Sequence, residues 1–154
     1  MFTHEFDPEV DGISRISRES FLGEDVVRAI EFYPGEFKQT RLGRVDHYCG
    51  ATVAVSSEDH EVIGYADWCA HQGRSEDRLA ELYFSLILVV EEERKKGIGA
   101  TLIDRTAEVL NHKFSGMAAI DEFRCKVLTD GGAAMARRLV NALKVPVSRI
   151  TIYR

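Results

Sequence analysis

From residue 48 onward the chain alternates between two hydrophobic rhythms. Cys49 to Ser56 contains Ala51-Thr52-Val53-Ala54-Val55, whose β-branched content predicts a strand. Ser57 to His60 reads as a turn, and Val62-Ile63-Gly64-Tyr65-Ala66-Asp67-Trp68 as a returning strand, so the two predict a hairpin. Residues 73–77 read as a loop. Leu79 to Val90 then runs almost wholly apolar from Leu82 onward, as expected of a central strand buried on both faces. The rhythm changes at Gly97: Ile98, Leu102, Ile103, Ala107 and Leu110 fall at helical spacing, predicting a helix over 97–113. Phe123 to Leu128 predicts a strand. Thr129-Asp130 can cap a helix over 132–143, Pro146 stops it, and Val147 to Tyr153 predicts a last strand.

The N-terminal third is less legible. The first twenty-odd residues have no clear pattern. Gly23-Glu24-Asp25 opens a short helical stretch, Val26 to Tyr33, with acidic residues at the positive end of its dipole and Pro34-Gly35 at its close. Residues 36–47 are polar and basic and receive no assignment. Helix, hairpin, strand, helix, strand, helix, strand predicts an α/β (α+β) domain with a mixed sheet. At 154 residues, one domain spanning 1–154 is expected, since domains run to roughly 100–200 residues.

Composition narrows the function. A formal net charge of −5 argues against a general nucleic-acid binder, because such affinity comes largely from neutralising phosphates. Cys49, Cys69 and Cys125 form no CxxC pair, so no zinc or redox motif and no metal site is expected. They read as free thiols in a reducing compartment. Met1 to Pro8 lacks a basic start followed by an apolar run, and no apolar stretch approaches the roughly 20 residues of a membrane span. A cytoplasmic protein with no membrane partner is the expectation.

The chemistry concentrates in one join, Leu88-Val89-Val90-Glu91-Glu92-Glu93-Arg94-Lys95-Lys96-Gly97-Ile98-Gly99-Ala100. A buried strand ends, a charged turn comes next, and a helix opens on Gly-x-Gly. Helix starts present unpaired N–H groups and a partial positive charge, which together favour a phosphate. Gly97 and Gly99 let an anion approach the main chain, and Arg94, Lys95 and Lys96 add positive charge. The bland reading of the same residues is a tight turn with a solvated basic face. A Walker loop is absent, and Leu102 stands where a Rossmann fingerprint needs its third glycine.

This join resembles the signature of the GNAT superfamily of N-acetyltransferases: glutamine or arginine, two residues, glycine, one residue, then glycine or alanine, directly after the fourth strand. Arg94, Gly97 and Gly99 match the three fixed positions, and Val89, Leu102 and Ile103 match the aliphatic flanks. Element order extends the resemblance over 48–143. It implies a GNAT-like mixed central sheet flanked by helices, and acetyl-CoA as cofactor. Backbone groups of Leu88, Val89 and Val90 would pair with the pantetheine, and N–H groups from Lys95 through Ile98 and Gly99 to Ala100 would hold the pyrophosphate. Arg94, Lys95 or Lys96, or else Arg137 or Arg138, would meet the 3′-phosphate.

The implied reaction moves an acetyl group to a primary amine of a small molecule or protein. The amine must lose a proton, the oxyanion must be stabilised, and the thiolate must leave. Main-chain N–H groups at the strand's end, Val89 or Val90, are candidates for the oxyanion. Strict alternation places Glu81, Tyr83, Ser85, Ile87 and Val89 on one face. Glu81 stands where relatives carry a base; a salt-bridged strand-end glutamate is the plainer reading. Tyr83, Ser85, Cys125 and Tyr153 are candidate acids, because Val140 stands where many relatives carry a tyrosine and Ala133 where they carry an asparagine. Residues 21–47 and 68–78 would line the acceptor groove, with Asp67, His71, Glu76 and Asp77 able to receive a cationic amine. The missing tyrosine keeps open a non-catalytic acyl-CoA-binding or interaction module on the same fold. The last strand suggests a possible homodimer.

Overall fold

A computed structural model describes residues 1–7, 10–11, 38–39 and 45–154. The expected helix at 26–33 and most of the expected acceptor-groove segment 21–47 lie outside the described residues. Strands β1 (Phe2–Glu5), β2 (Lys38–Gln39), β3 (Val45–Val55), β4 (Val62–Gln72), β5 (Arg78–Val89), β6 (Ala119–Lys126) and β7 (Val147–Tyr153) make one sheet. Its order is β1-β3-β4-β5-β6-β7, with β2 beside β3. Pairs from β1 to β5 are antiparallel, and β5-β6 and β6-β7 are parallel. The expected mixed sheet is therefore present. Helix α1 (Ile98–Lys113) connects β5 to β6, and α2 (Asp130–Ala142) connects β6 to β7. Both make the long crossover that a parallel pair requires.

The hairpin appears at the expected place but with longer arms. His47↔His71 through Ala54↔Gly64 pair without interruption. The N-terminal strand β1, which has no pattern in the sequence, is held from outside itself. It pairs with β3, and Lys113 Nζ of α1 reaches Glu5 at 2.7 Å. Strand β6 starts at Ala119, four residues before the expected Phe123.

Helix α1 buries Ile98, Leu102, Ile103, Thr106, Ala107 and Leu110 against the sheet. The one polar member, Thr106, satisfies its hydroxyl on the Leu102 carbonyl at 2.8 Å. Gly64 marks the contact: a Cβ there would stand 3.4 Å from both Ile98 and Leu102. The even-numbered residues of β4 thus face α1, and Tyr65, Asp67, Cys69 and His71 face the other side, since strand side chains alternate. Thr129 caps α2 as expected, its side-chain oxygen accepting from the Gly132 amide at 3.0 Å. Asn111 joins the helix ends, donating to the Ala142 carbonyl at 3.0 Å and accepting from the Lys144 amide at 2.8 Å.

The cysteine expectation is corrected. Cys49 and Cys69 are direct partners across β3 and β4, with Cα atoms 4.2 Å apart, and they form a disulfide. A separation of 20 residues hid the pairing, which only the hairpin register creates. A reducing compartment therefore does not follow from the cysteines. Cys125 alone is free, and burial pushes its thiol up to about 11.

Candidate active site

The site begins where the sheet opens. β5 pairs with β6 from Arg78↔Ala119 to Tyr83↔Arg124 and no further, although β5 continues to Val89. On its other side β5 stays paired with β4 as far as Gly64↔Val89. Among the described residues, the C-terminal half of β5 thus has one bonded edge and one open edge, a template for an extended chain to pair with.

Register decides which groups face the opening. The Val90 amide donates to the Ile63 carbonyl at 2.9 Å. Alternation along the antiparallel ladder then turns Leu88 toward β4 as well, and turns the main-chain groups of Ile87 and Val89 to the open edge. This corrects the expectation on two counts: Val90 has no amide left for an oxyanion, and Ile87 rather than Leu88 or Val90 shares the open edge with Val89.

A β-bulge sets the two faces of β5. Asp67 pairs with Leu86, but its neighbour Trp68 pairs with Phe84, leaving Ser85 as the extra residue. Such a residue falls out of the ladder and re-aims the strand beyond it. Ile87 pairs with Ala66 and so faces α1; Tyr83 pairs with Cys69 and Glu81 with His71, on the other face. Glu81, Tyr83 and Ser85 therefore do not share a face with Ile87 and Val89. Strict alternation misses this because nothing in an apolar run marks a bulge.

Beyond β5 the chain turns at Glu91–Glu93 and enters α1 through a left-handed bend. Lys95 has φ 65° and Gly97 φ 77°. A lysine there is uncommon, and such conformations gather where a loop is held for function. Two bonds hold it: Arg94 Nε donates to the Val89 carbonyl at 2.9 Å, and Lys96 Nζ meets Glu93 at 3.0 Å. The first helical bond is Thr101 N–H to the Gly97 carbonyl at 3.1 Å. Among the described residues, none accepts a hydrogen bond from the main-chain N–H groups of Lys95 to Ala100. A Cβ at Gly97 would meet nothing within 4 Å, and one at Gly99 would reach only Ile87 and Met135, both at 4.0 Å. The bend is a row of unspent donors with open space in front, and it fits a diphosphate.

The basic candidates divide on contact. Arg94 braces the strand end, Lys96 is paired with Glu93, and Arg138 holds Asp104 of α1 through two bonds of 2.8 Å. That pairing holds the Asp104 carboxyl below its ordinary value. Arg137 lines a cavity of about 370 Å³ with Val140, Asn141, Ile150 and Ile152, between α2 and β7. Val140 thus turns toward β7. Among the described basic residues at the bend, Lys95 has no ion pair.

Glu81 is held by Arg124, 3.4 Å away, which also reaches Glu122 at 3.2 Å and lies 5.5 Å over the Tyr153 ring. Burial, with Tyr153 beside it, raises Tyr83 above the ordinary tyrosine value, so its hydroxyl stays protonated. Asp67 has a different setting. The Tyr65 hydroxyl donates to Oδ2 at 3.1 Å, while Oδ1 is closed to solvent and has no partner among the described residues. Burial pushes this carboxyl up to about 6 against the downward pull of the Tyr65 hydrogen bond and the nearby Ser85 hydroxyl.

No family model and no curated protein matches the chain. Solved structures do. A point mutant of the toxin AtaT, bound to the C-terminus of the antitoxin AtaR and acetyl-CoA, superposes with a TM-score of 0.58 at 13% identity, over 90% of this chain and 82% of that one. Aminoglycoside 6′-N-acetyltransferase AAC(6′)-IG of Acinetobacter haemolyticus gives 0.54 at 19% identity, over 90% and 89%. AAC(6′)-Iy in complex with a CoA-linked bisubstrate analogue gives 0.53 at 11% identity, over 93% and 90%. The fold is that of the GNAT N-acetyltransferases.

Proposed function

We propose that the protein is an acetyl-CoA-dependent N-acyltransferase acting on a primary amine. One observation carries the reading: a strand edge open at Ile87 and at the Val89 amide leads directly to the unspent amides of 95–100. An extended pantetheine and a diphosphate need those two features in that order. The cofactor would supply an activated thioester. Ile87 and Val89 would hold its amide arm and keep the thioester beside the bulge. The amides from Lys95 to Ala100 would hold the diphosphate, and Lys95 is the side chain left for a further phosphate. Glycines 97 and 99 keep the approach clear.

The far face of the sheet, bearing Tyr65, Asp67, Tyr83 and Ser85, is where the amine would enter. Tyr83 is protonated and suited to return a proton to the departing thiolate. Glu81, tied to Arg124, serves the sheet rather than the amine. Similar folds act on aminoglycosides or bind an antitoxin, so the fold does not choose among a small amine, a protein amine and another acceptor. An acidic chain remains a poor general partner for nucleic acid.

Calorimetry with coenzyme A tests the cofactor site, and thiol release from acetyl-CoA across an amine panel tests the reaction. Saturable binding with amine-dependent release is expected. No binding at millimolar coenzyme A would refute the assignment. The second reading, a non-catalytic acyl-CoA-binding module, is favoured by Val140 facing β7 and by Glu81 being paired. Binding without release on any acceptor would support it.

A further inference from the structure

We propose that Asp67, on the strand next to the open one, is the general base that takes the proton from the acceptor amine. This rests on the acyltransferase reading above. Asp67 stands opposite the bulge of β5, the point where that strand leaves β6 and its main chain becomes available. Its carboxylate lies on the face away from α1, and so does Tyr83. One oxygen is oriented by the Tyr65 hydroxyl at 3.1 Å. The other is shut off from water and has no donor among the described residues. A buried acceptor without a donor is costly and calls for a missing partner. A protonated amine is such a partner, placed beside the thioester by the same bulge.

The surroundings suit the task. From β3, Ala51 lies opposite Asp67. From β5, the Ser85 hydroxyl lies near enough to pull the carboxyl's value down. From β4 itself come Tyr65, which burial keeps protonated, and Cys69, which is tied in the disulfide. No described cation is among the groups that shift Asp67, whereas Arg124 pairs with Glu81. Burial against the pull of these two hydroxyls leaves it ionised at pH 7 yet more basic than an ordinary aspartate, the range in which a general base works best.

In the proposed step, an ammonium form of the acceptor gives one proton directly to the Asp67 carboxylate as the amine docks against it. The freed nitrogen pair forms the N–C bond to the thioester carbonyl carbon, and the C–S bond breaks with its pair on sulfur. The second nitrogen proton, lost as the amide forms, goes to solvent. The thiolate takes a proton from Tyr83 or from water.

The test uses the full chain with acetyl-CoA and three probes: neamine, spermidine and lysine methyl ester, with water as the background acceptor. For Asp67→Asn, unchanged coenzyme A affinity is expected together with a fall of about 10²- to 10⁴-fold in kcat/KM for thiol release. The acid limb of the wild-type pH profile, near 6, should disappear. Tyr65→Phe removes a donor that lowers the carboxyl, so it should move that limb to higher pH. If Asp67→Asn does not fold, Tyr65→Phe carries the test alone. An unmoved limb in Tyr65→Phe, or full activity in folded Asp67→Asn, would overturn the proposal. So would a wild-type protein that binds the coenzyme yet releases no thiol to any probe or to water. Failure of the wild type to bind coenzyme A would instead sink the acyltransferase reading itself.

Discussion

Gly97→Glu probes the diphosphate cradle most directly, and it has two separable effects. The first is on the fold. Gly97 sits at φ 77°, where an L side chain costs about 1–2 kcal/mol, although its Cβ would touch nothing within 4 Å. The second is on the ligand. A carboxylate about 4 Å from a phosphate charge is repelled by about 4 kcal/mol at an effective dielectric near 20. The bend is exposed, so screening reduces this to on the order of 1–2 kcal/mol. Coenzyme A should therefore bind about 5- to 30-fold more weakly. Gly97→Asn separates the two effects, because asparagine tolerates the left-handed region and carries no charge. The assay is calorimetry with coenzyme A on wild type, Gly97→Asn and Gly97→Glu, with urea midpoints alongside. Gly97→Glu should lose affinity well beyond Gly97→Asn at similar stability. Equal affinities in the three proteins would refute the placement of the diphosphate.

Other outcomes rest on the same contacts. Arg138→Met should leave coenzyme A affinity unchanged, because the guanidinium is committed to Asp104; a tenfold loss by calorimetry would return it to the phosphate site. Cys49→Ser with Cys69→Ser should lower stability by about 3 kcal/mol in urea unfolding, from the 20-residue loop that the bridge closes, and reductant should then have no further effect. Asp67 should make stability fall as pH rises. Its folded value near 6 exceeds its unfolded 3.8, so the protonated carboxyl's contribution is complete below about 4 and is lost as pH rises through 6. Asp67→Asn should thus gain relative to wild type by up to about 3 kcal/mol between pH 4 and 7, and a flat difference in thermal melts would contradict the buried setting.

The candidate site was readable from the sequence where its chemistry is local. Arg94, Gly97 and Gly99 are close neighbours in the chain, and the left-handed bend among them, at Lys95 and Gly97, lies between a strand and a helix that the sequence also shows. The cap at Thr129 and the apolar faces of α1 and β5 were legible for the same reason, since each depends on residues within a few positions. A bulge has no such signature. Its effect depends on the partner strand, so the face assignments of Ile87 and Val89 came out reversed relative to Glu81 and Tyr83.

The chain alone therefore determined the periodic elements and the left-handed bend before α1, because hydrophobic spacing and glycine geometry act over one or two turns. Tertiary structure decided the rest. It joined Cys49 to Cys69, committed Arg138 to Asp104 and Glu81 to Arg124, spent the Val90 amide on Ile63, and set Asp67 beside Ser85. Each of these pairs residues from different strands or helices. Which groups meet there depends on strand register and helix docking, and those are set by burial of the whole sheet rather than by any short stretch of sequence.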